Sequence, residues 1–213
     1  MSDPYYGLVR KEIFSFVPAD TKKLLDIGGG YGGTSSEIKR IGRAEYVVLT
    51  DLVADNHDPD IDNAFAGNLD DPAFLQQIID EEGPFDTVLC LDVLEHLREP
   101  WDVVAALHKG LSPGGVIVAS IPNMRHINLV GPLVLKGKFE LRDRGIRDRT
   151  HLRWFTRESA IGLMECSGLK AEKVVGKRSV ARWHKWTNLF TFGIFRAFFE
   201  KQYLIVARNT DAK

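Results

Sequence analysis

Apolar residues fall in short blocks along the chain: "KLLDIG" (23–28), "YVVLTD" (46–51), "TVLCL" (87–91) and "VIVASIP" (116–122). Each block is apolar at successive positions, so both faces of the segment would be buried, as in a strand inside a parallel sheet. Stretches with helical spacing, 33–42, 72–82 and 99–110, separate them. This alternation predicts an α/β, Rossmann-like doubly wound sheet with helices on both sides. "LSPGG" (111–115) ends one helix and turns the chain into the next strand. A last helix is predicted over 156–168, opened by Thr156 with Ser159 and stopped by Gly168. Two terminal strands follow, at 171–177 and 202–209.

The rhythm breaks between them. Residues 123–155 read as an irregular insert after the carboxyl end of a strand, where binding segments concentrate. Arg142, Arg144, Arg147, Arg149, Arg153 and Arg157 face only Asp143 and Asp148. These arginines either meet the phosphates of a ligand or form surface ion pairs of little weight. A second unusual stretch, 183–199, carries Trp183, Trp186, Phe190, Phe192, Phe195, Phe198 and Phe199. It is expected to be core or a homodimer interface, with a membrane-facing or sugar-stacking role as the alternative.

Composition narrows the class. The chain has 213 residues, 44% hydrophobic, enough for one core and a single domain over 1–213. Its formal net charge of -1 gives no reason to expect a nucleic-acid partner. Cys90 and Cys166 sit in no CxxC, which suits a reducing compartment. "MSDPYYGLVRKEIF" lacks the apolar core of a signal peptide, and no run of about 18 apolar residues could span a membrane. A soluble, cytoplasmic protein is expected.

Candidate chemistry begins at "LLDIGGGYGG", between the first strand and the first helix. Glycines there let the chain turn sharply and let a ligand approach the backbone. Gly28, Gly30 and Gly33 fit the G-x-G-x-x-G of dinucleotide sites, and a nicotinamide oxidoreductase is therefore one reading. The same residues also fit D-x-G-x-G-x-G. Asp26 favours that second pattern, because a carboxylate beside the loop would repel a pyrophosphate and attract an ammonium or sulfonium. Asp51, ending the second strand, can accept both hydroxyls of a ribose in either case.

Taken in order, "LLDIGGGYG", "VVLTD", "FDTVLCLDVLEHL" and "LSPGGVIVASIPN" resemble class I S-adenosylmethionine-dependent methyltransferases over nearly the whole chain. The resemblance implies a seven-stranded sheet with an antiparallel last strand. It also implies cofactor contacts at Asp26, Gly28, Gly30, Asp51, Leu52, Asn68, Leu69, Leu91 and Asp92. "DRTHLRWFTRES" (148–159) is similar to methyltransferases associated with polysaccharide and O-antigen assembly. That similarity implies a sugar hydroxyl as acceptor, on a glycan, nucleotide sugar or lipid-linked saccharide; a lipid-linked one would bring peripheral membrane contact. The alternatives are RNA 2′-O-methylation, O-methylation of a small molecule such as a quinone or natural product, and a non-catalytic partner subunit.

A hydroxyl is a poor nucleophile at pH 7, so a group must take its proton or lower its pKa. "DVLEH" (92–96) supplies candidates: read as a helical turn, it puts Asp92, Glu95 and His96 on one face. His151 would join them from the insert. Two uses are open: His151, or next His96, oriented by a carboxylate such as Glu95, acts as general base; or Asp92, Glu95, His96 and His151 hold Mg²⁺ or Mn²⁺ as a Lewis acid. The E-x-x-E-H of plant-type small-RNA 2′-O-methyltransferases and of some ubiquinone-pathway O-methyltransferases resembles this stretch, with Asp92 here in place of the first glutamate. In the RNA enzymes a distant histidine begins H-x-x-x-W-T-R; His151 stands at the same spacing from Thr156 and Arg157. His126, at the start of the insert, is a further candidate for lining the acceptor pocket.

Overall fold

The computed structural model describes residues 8–178 and 195–211. Among the described residues seven strands form one sheet in the order β3-β2-β1-β4-β5-β7-β6. They are β1 (Thr21–Ile27), β2 (Ala44–Asp51), β3 (Asn63–Ala66), β4 (Phe85–Leu91), β5 (Leu111–Pro122), β6 (Lys170–Arg178) and β7 (Glu200–Arg208). β7 runs against both neighbours, and the remaining pairs are parallel. Five α-helices lie among the described residues: α1 (Gly33–Arg40), α2 (Pro72–Glu82), α3 (Pro100–Lys109), α4 (Ile127–Lys136) and α5 (Arg157–Glu165).

Why the blocks are apolar throughout is visible in the packing. Successive strand residues point to opposite faces. Leu25, Ile27, Val88, Cys90 and Ile117 lie in one core, whereas Leu24, Val47, Leu49, Leu89 and Val116 lie in another on the other side. All ten are fully buried.

Three local details differ from the sequence expectations. Residues 123–155 are not wholly irregular: they contain α4, whose Pro132 and Gly131 weaken the helical signal. The strand β3 is only four residues long, too short for its alternation to stand out. "LSPGG" lies within β5 rather than before it. The register there jumps from Phe85↔Leu111 to Thr87↔Val116, so the expected turn is a bulge in a strand that has already begun pairing. Of the aromatic stretch, residues 183–194 lie outside the described residues, Phe195 is exposed and Phe199 is buried.

The start of α5 is fixed as its sequence predicts. Thr156 Oγ1 accepts from Ser159 N at 3.4 Å, and Ser159 Oγ accepts from Thr156 N at 2.9 Å, a reciprocal cap. Thr156→Ala should cost about 1 kcal/mol of stability. In urea melts this appears as a lower midpoint at unchanged slope.

Candidate active site

Strand order reverses between β1 and β4, with β2 and β3 on one side and β5 on the other. Ligands of open α/β sheets bind at such a switch, beyond the carboxyl ends of the strands. A crevice of about 1020 Å³ lies there, lined by Asp26, Gly28, Gly29, Gly30, Asp51, Leu52, Leu91 and Asp92 among others. Gly28 has φ +65°, and a Cβ there would come 2.5 Å from Val93 Cγ2, so this turn requires glycine. Asp51 braces the loop: Oδ2 accepts from Gly30 N at 2.9 Å and Oδ1 from Val53 N at 3.1 Å. Asp26 is buried at the base, and burial pushes its carboxyl up to about 7. The Ser35 side chain partly offsets this, although neither carboxyl oxygen makes a hydrogen bond of good geometry among the described residues. A buried acid left this way suits a ligand that brings its own donor or cation.

Asn68 and Leu69, the expected adenine contacts, are not among the residues lining this crevice. Asn68 is exposed and its Oδ1 accepts from Asp70 N. Leu69 is buried in the core beside Leu75. The other cofactor-binding candidates all border the crevice.

At the end of β4 the structure corrects the helical-turn reading of residues 92–96. Asp92 has φ +56°, rare for a residue with a side chain, and a short 3₁₀ turn covers only Leu94–His96. Asp92 still borders the cavity of Glu95 and His96, but it is not among the donor atoms that cluster there, and its carboxylate is held by other partners. Its Oδ2 accepts from Arg10 Nη1 at 2.8 Å, and its Oδ1 from Ser120 Oγ at 2.8 Å and Gln202 Nε2 at 2.7 Å. Arg10 also donates to Ser120 Oγ at 3.0 Å. The sequence reading missed Arg10, Ser120 and Gln202. They reach Asp92 from 82, 28 and 110 positions away, and no local spacing announces such a convergence.

Glu95, His96 and His151 do come together. Each offers one donor atom, and these atoms lie within 4.8 Å of one another. His151 Nε2 is 3.9 Å from Glu95 Oε1, and the two imidazoles meet edge to face at 4.7 Å between centroids. The backbone builds this meeting: Leu152 N and Arg153 N both donate to Glu95 O, at 2.8 and 3.0 Å, which clamps the insert onto the 3₁₀ turn. Thr150 Oγ1 lies 3.0 Å from His96 Nδ1 and donates to Asp148 Oδ1 at 2.7 Å. Glu95, His96, Asp148 and His151 border a second cavity, of about 230 Å³, whose other walls include Pro122, Ile146, Lys201 and Gln202. Asp92 and His96 border both spaces, so the cavity opens next to the crevice.

The electrostatics of the set are tense. Glu95 is buried, and both its oxygens lack a hydrogen-bond partner among the described residues. Burial, with the Asp92 charge nearby, holds its carboxyl well above the ordinary glutamate range. Burial and the neighbouring His96 lower the proton affinity of His151, so this imidazole is neutral near pH 7. His126 does not join the cavity: it is buried, and its Nδ1 accepts from Asn128 N to cap α4.

Fold and site together form an α/β sheet with a crevice at its switch point and a polar pocket beside it. Residues 7–174 match the family model described as a methyltransferase domain, and the chain belongs to that family. That membership sets aside the nicotinamide reading. It is 35% identical over 134 residues to a ubiquinone biosynthesis O-methyltransferase of Psychrobacter cryohalolentis, covering 60% of this chain and 51% of that protein. A Pseudomonas aeruginosa protein of the same name is 29% identical over 163 residues, 73% of this chain and 67% of the relative. The chain thus spans about half the length of the first of these curated relatives. In fold it is similar to an S-adenosylmethionine-dependent methyltransferase of Archaeoglobus fulgidus (TM-score 0.68, 15% identity, 92% of this chain and 90% of that one). An N-methyltransferase of Bradyrhizobium japonicum, solved with S-adenosyl-L-homocysteine, shares the fold at TM-score 0.56 and 15% identity, over 90% of this chain and 79% of that one. The polysaccharide subgroup expected from residues 148–159 gains no support from these relatives, whose names fit the small-molecule alternative better. Among the described residues no helix is long and apolar enough to cross a membrane.

Proposed function

We propose that the chain is an O-methyltransferase whose acceptor is a small hydroxylated ring of the quinone-precursor kind, held in the pocket of Glu95, His96 and His151. The names of the relatives support the acceptor class. The observation that carries the choice of pocket is the buried, unpartnered carboxylate of Glu95 beside two imidazoles at the edge of the cofactor crevice.

The same observation fits a divalent cation. One carboxylate and two imidazoles form a competent donor set, and an ion would resolve the cost of burying Glu95 without partners. Glu95, His96 and His151 would hold it, and bound there Mg²⁺ or Mn²⁺ supplies Lewis-acid polarisation of a hydroxyl. Asp92, the fourth expected ligand, is engaged by Arg10, Ser120 and Gln202 instead.

The chain's own residues divide the remaining work. Gly28, Gly30, Asp51, Leu52 and Leu91 form the cofactor's seat, and Asp26 offers its unpaired carboxyl to the cationic end. His151, neutral near pH 7, can accept a proton at Nε2 or donate its lone pair to a cation. A phenolic hydroxyl, with a pKa near the tyrosine value of about 10, loses its proton more readily than a sugar hydroxyl. Positioning in the small cavity supplies much of the rest.

The test is methyl transfer with matched acceptors: a dihydroxylated aromatic ring, a free sugar and a short oligoribonucleotide, each with and without a chelator. The ring should turn over, and chelation should stop it until Mg²⁺ or Mn²⁺ is restored. Transfer to sugar or RNA but not to the ring would overturn the acceptor assignment. Full activity in chelator would leave His151 as a general base alone.

A further inference from the structure

Helix α4 is built against the usual rule for surface helices. Its ten residues, INLVGPLVLK, carry six aliphatic side chains, yet only Leu129 is buried. Leu133, Val134 and Leu135 are 43%, 73% and 83% exposed. Phe139 and Leu141, just beyond, are 46% and 49% exposed. A surface helix normally turns such residues inward, and a contiguous exposed apolar patch marks an interaction site.

The charges around the patch say what it meets. Lys136, Lys138, Arg142, Arg144, Arg147 and Arg149 face Glu140, Asp143 and Asp148, so the region is cationic in a chain of net charge -1. Glu140 pairs with Lys138, Asp143 with Arg149, and Asp148 with Thr150. Lys136, Arg142 and Arg147 make no ion pair among the described residues. The patch also leads to the pocket: Phe139 packs edge-on against Trp154 at 5.4 Å, and Trp154 against His151 at 5.5 Å.

We propose that α4 and the arginine-bearing loop after it dock on an anionic lipid surface. Val134, Leu135 and Phe139 enter the apolar side of the interface, and Lys136, Arg142 and Arg147 meet headgroup phosphates. An apolar helix end flanked by unpaired cations matches the two layers of such a surface. With no membrane-crossing helix among the described residues, the contact is peripheral. It would present the mouth of the pocket to the bilayer, so that an acceptor dissolved in lipid could reach His151 without passing through water. The surface assignment stands independently of the acceptor proposed above, because vesicle binding is read without any methyl transfer.

Sedimentation with vesicles tests it, comparing phosphatidylcholine alone with phosphatidylcholine containing phosphatidylglycerol. The protein should bind the anionic vesicles preferentially, and less as salt rises. A Val134→Glu/Leu135→Glu variant should bind about tenfold less or weaker still. Arg142→Gln and Arg147→Gln should each lower binding about fivefold. Binding of S-adenosylhomocysteine, measured by calorimetry on every variant, should be unchanged and would show that the fold is intact. Absence of binding to anionic vesicles, or binding that ignores the Val134→Glu/Leu135→Glu change, would overturn the proposal. So would a dimer that this double variant dissociates while vesicle binding stays as it was, since a second copy would then cover the helix.

Discussion

Glu95→Gln should lower kcat/KM by about 10²–10⁴-fold, the range associated with losing a proton-transfer or cation-holding group. It should leave S-adenosylhomocysteine affinity nearly unchanged, because Glu95 lines the small cavity and not the cofactor crevice. Stability should move in the opposite direction to activity. Burial raises the native-state pKa of Glu95 above its ordinary 4.5, so the folded chain keeps a proton that the unfolded chain releases. The stability this proton confers is complete below about pH 4.5, the unfolded value, and is lost as pH rises through the raised native value. The glutamine variant has no such loss. In the presence of chelator it should therefore gain stability relative to the wild type between pH 5 and pH 8. Urea melts at the two pH values, paired with steady-state kinetics, check both halves. A variant within tenfold of wild-type turnover would remove Glu95 from the reaction. A variant that is inactive and also less stable at pH 8 would show that Glu95 has a structural partner instead.

The ease with which the fold was legible, and the difficulty of parts of the site, have the same physical origin. Buried parallel strands must be apolar at every position, so β1, β2, β4 and β5 announce themselves in sequence. Glycines with positive φ and Asp51 mark the cofactor loop, because local backbone geometry dictates those residue types. Glu95, His96 and His151 were recognisable as residues, but their meeting depends on Leu152 and Arg153 donating to Glu95 O, which no periodicity encodes. Asp92 was misplaced for a local reason. Three-residue spacing implies a shared helical face only if the backbone is helical, and φ +56° breaks the helix at Asp92, whose carboxylate borders the cavity but is held by Arg10, Ser120 and Gln202. Arg10 and Gln202 were invisible because their role exists only once the chain's two ends meet at β4. Helix α4 was obscured by Gly131 and Pro132, and by apolar residues on every side that leave no amphipathic stripe to detect.

Asp51→Ala should weaken S-adenosylhomocysteine binding by about 1.5–3 kcal/mol, or roughly 10–150-fold, by the usual cost of losing hydrogen bonds to a charged group. Two effects contribute, and Asp51→Asn separates them. The carboxylate accepts from Gly30 N and Val53 N, so the alanine variant leaves both donors without partners and loosens the loop that seats the cofactor. It also removes the charged acceptor offered to the ribose hydroxyls. Asparagine keeps one neutral acceptor oxygen, enough for one of the two backbone donors, but it cannot receive two donors as an ion. If bracing the loop dominates, Asn should recover part of the affinity and a matching part of the thermal stability of the unliganded protein. If ribose recognition dominates, Asn should recover stability while affinity stays low. Calorimetric titration and thermal melts on both variants decide between them. Unchanged affinity in Asp51→Ala would show that the nucleoside sits elsewhere in the crevice, and the assignment of Gly28, Gly30 and Leu52 as its seat would fall with it.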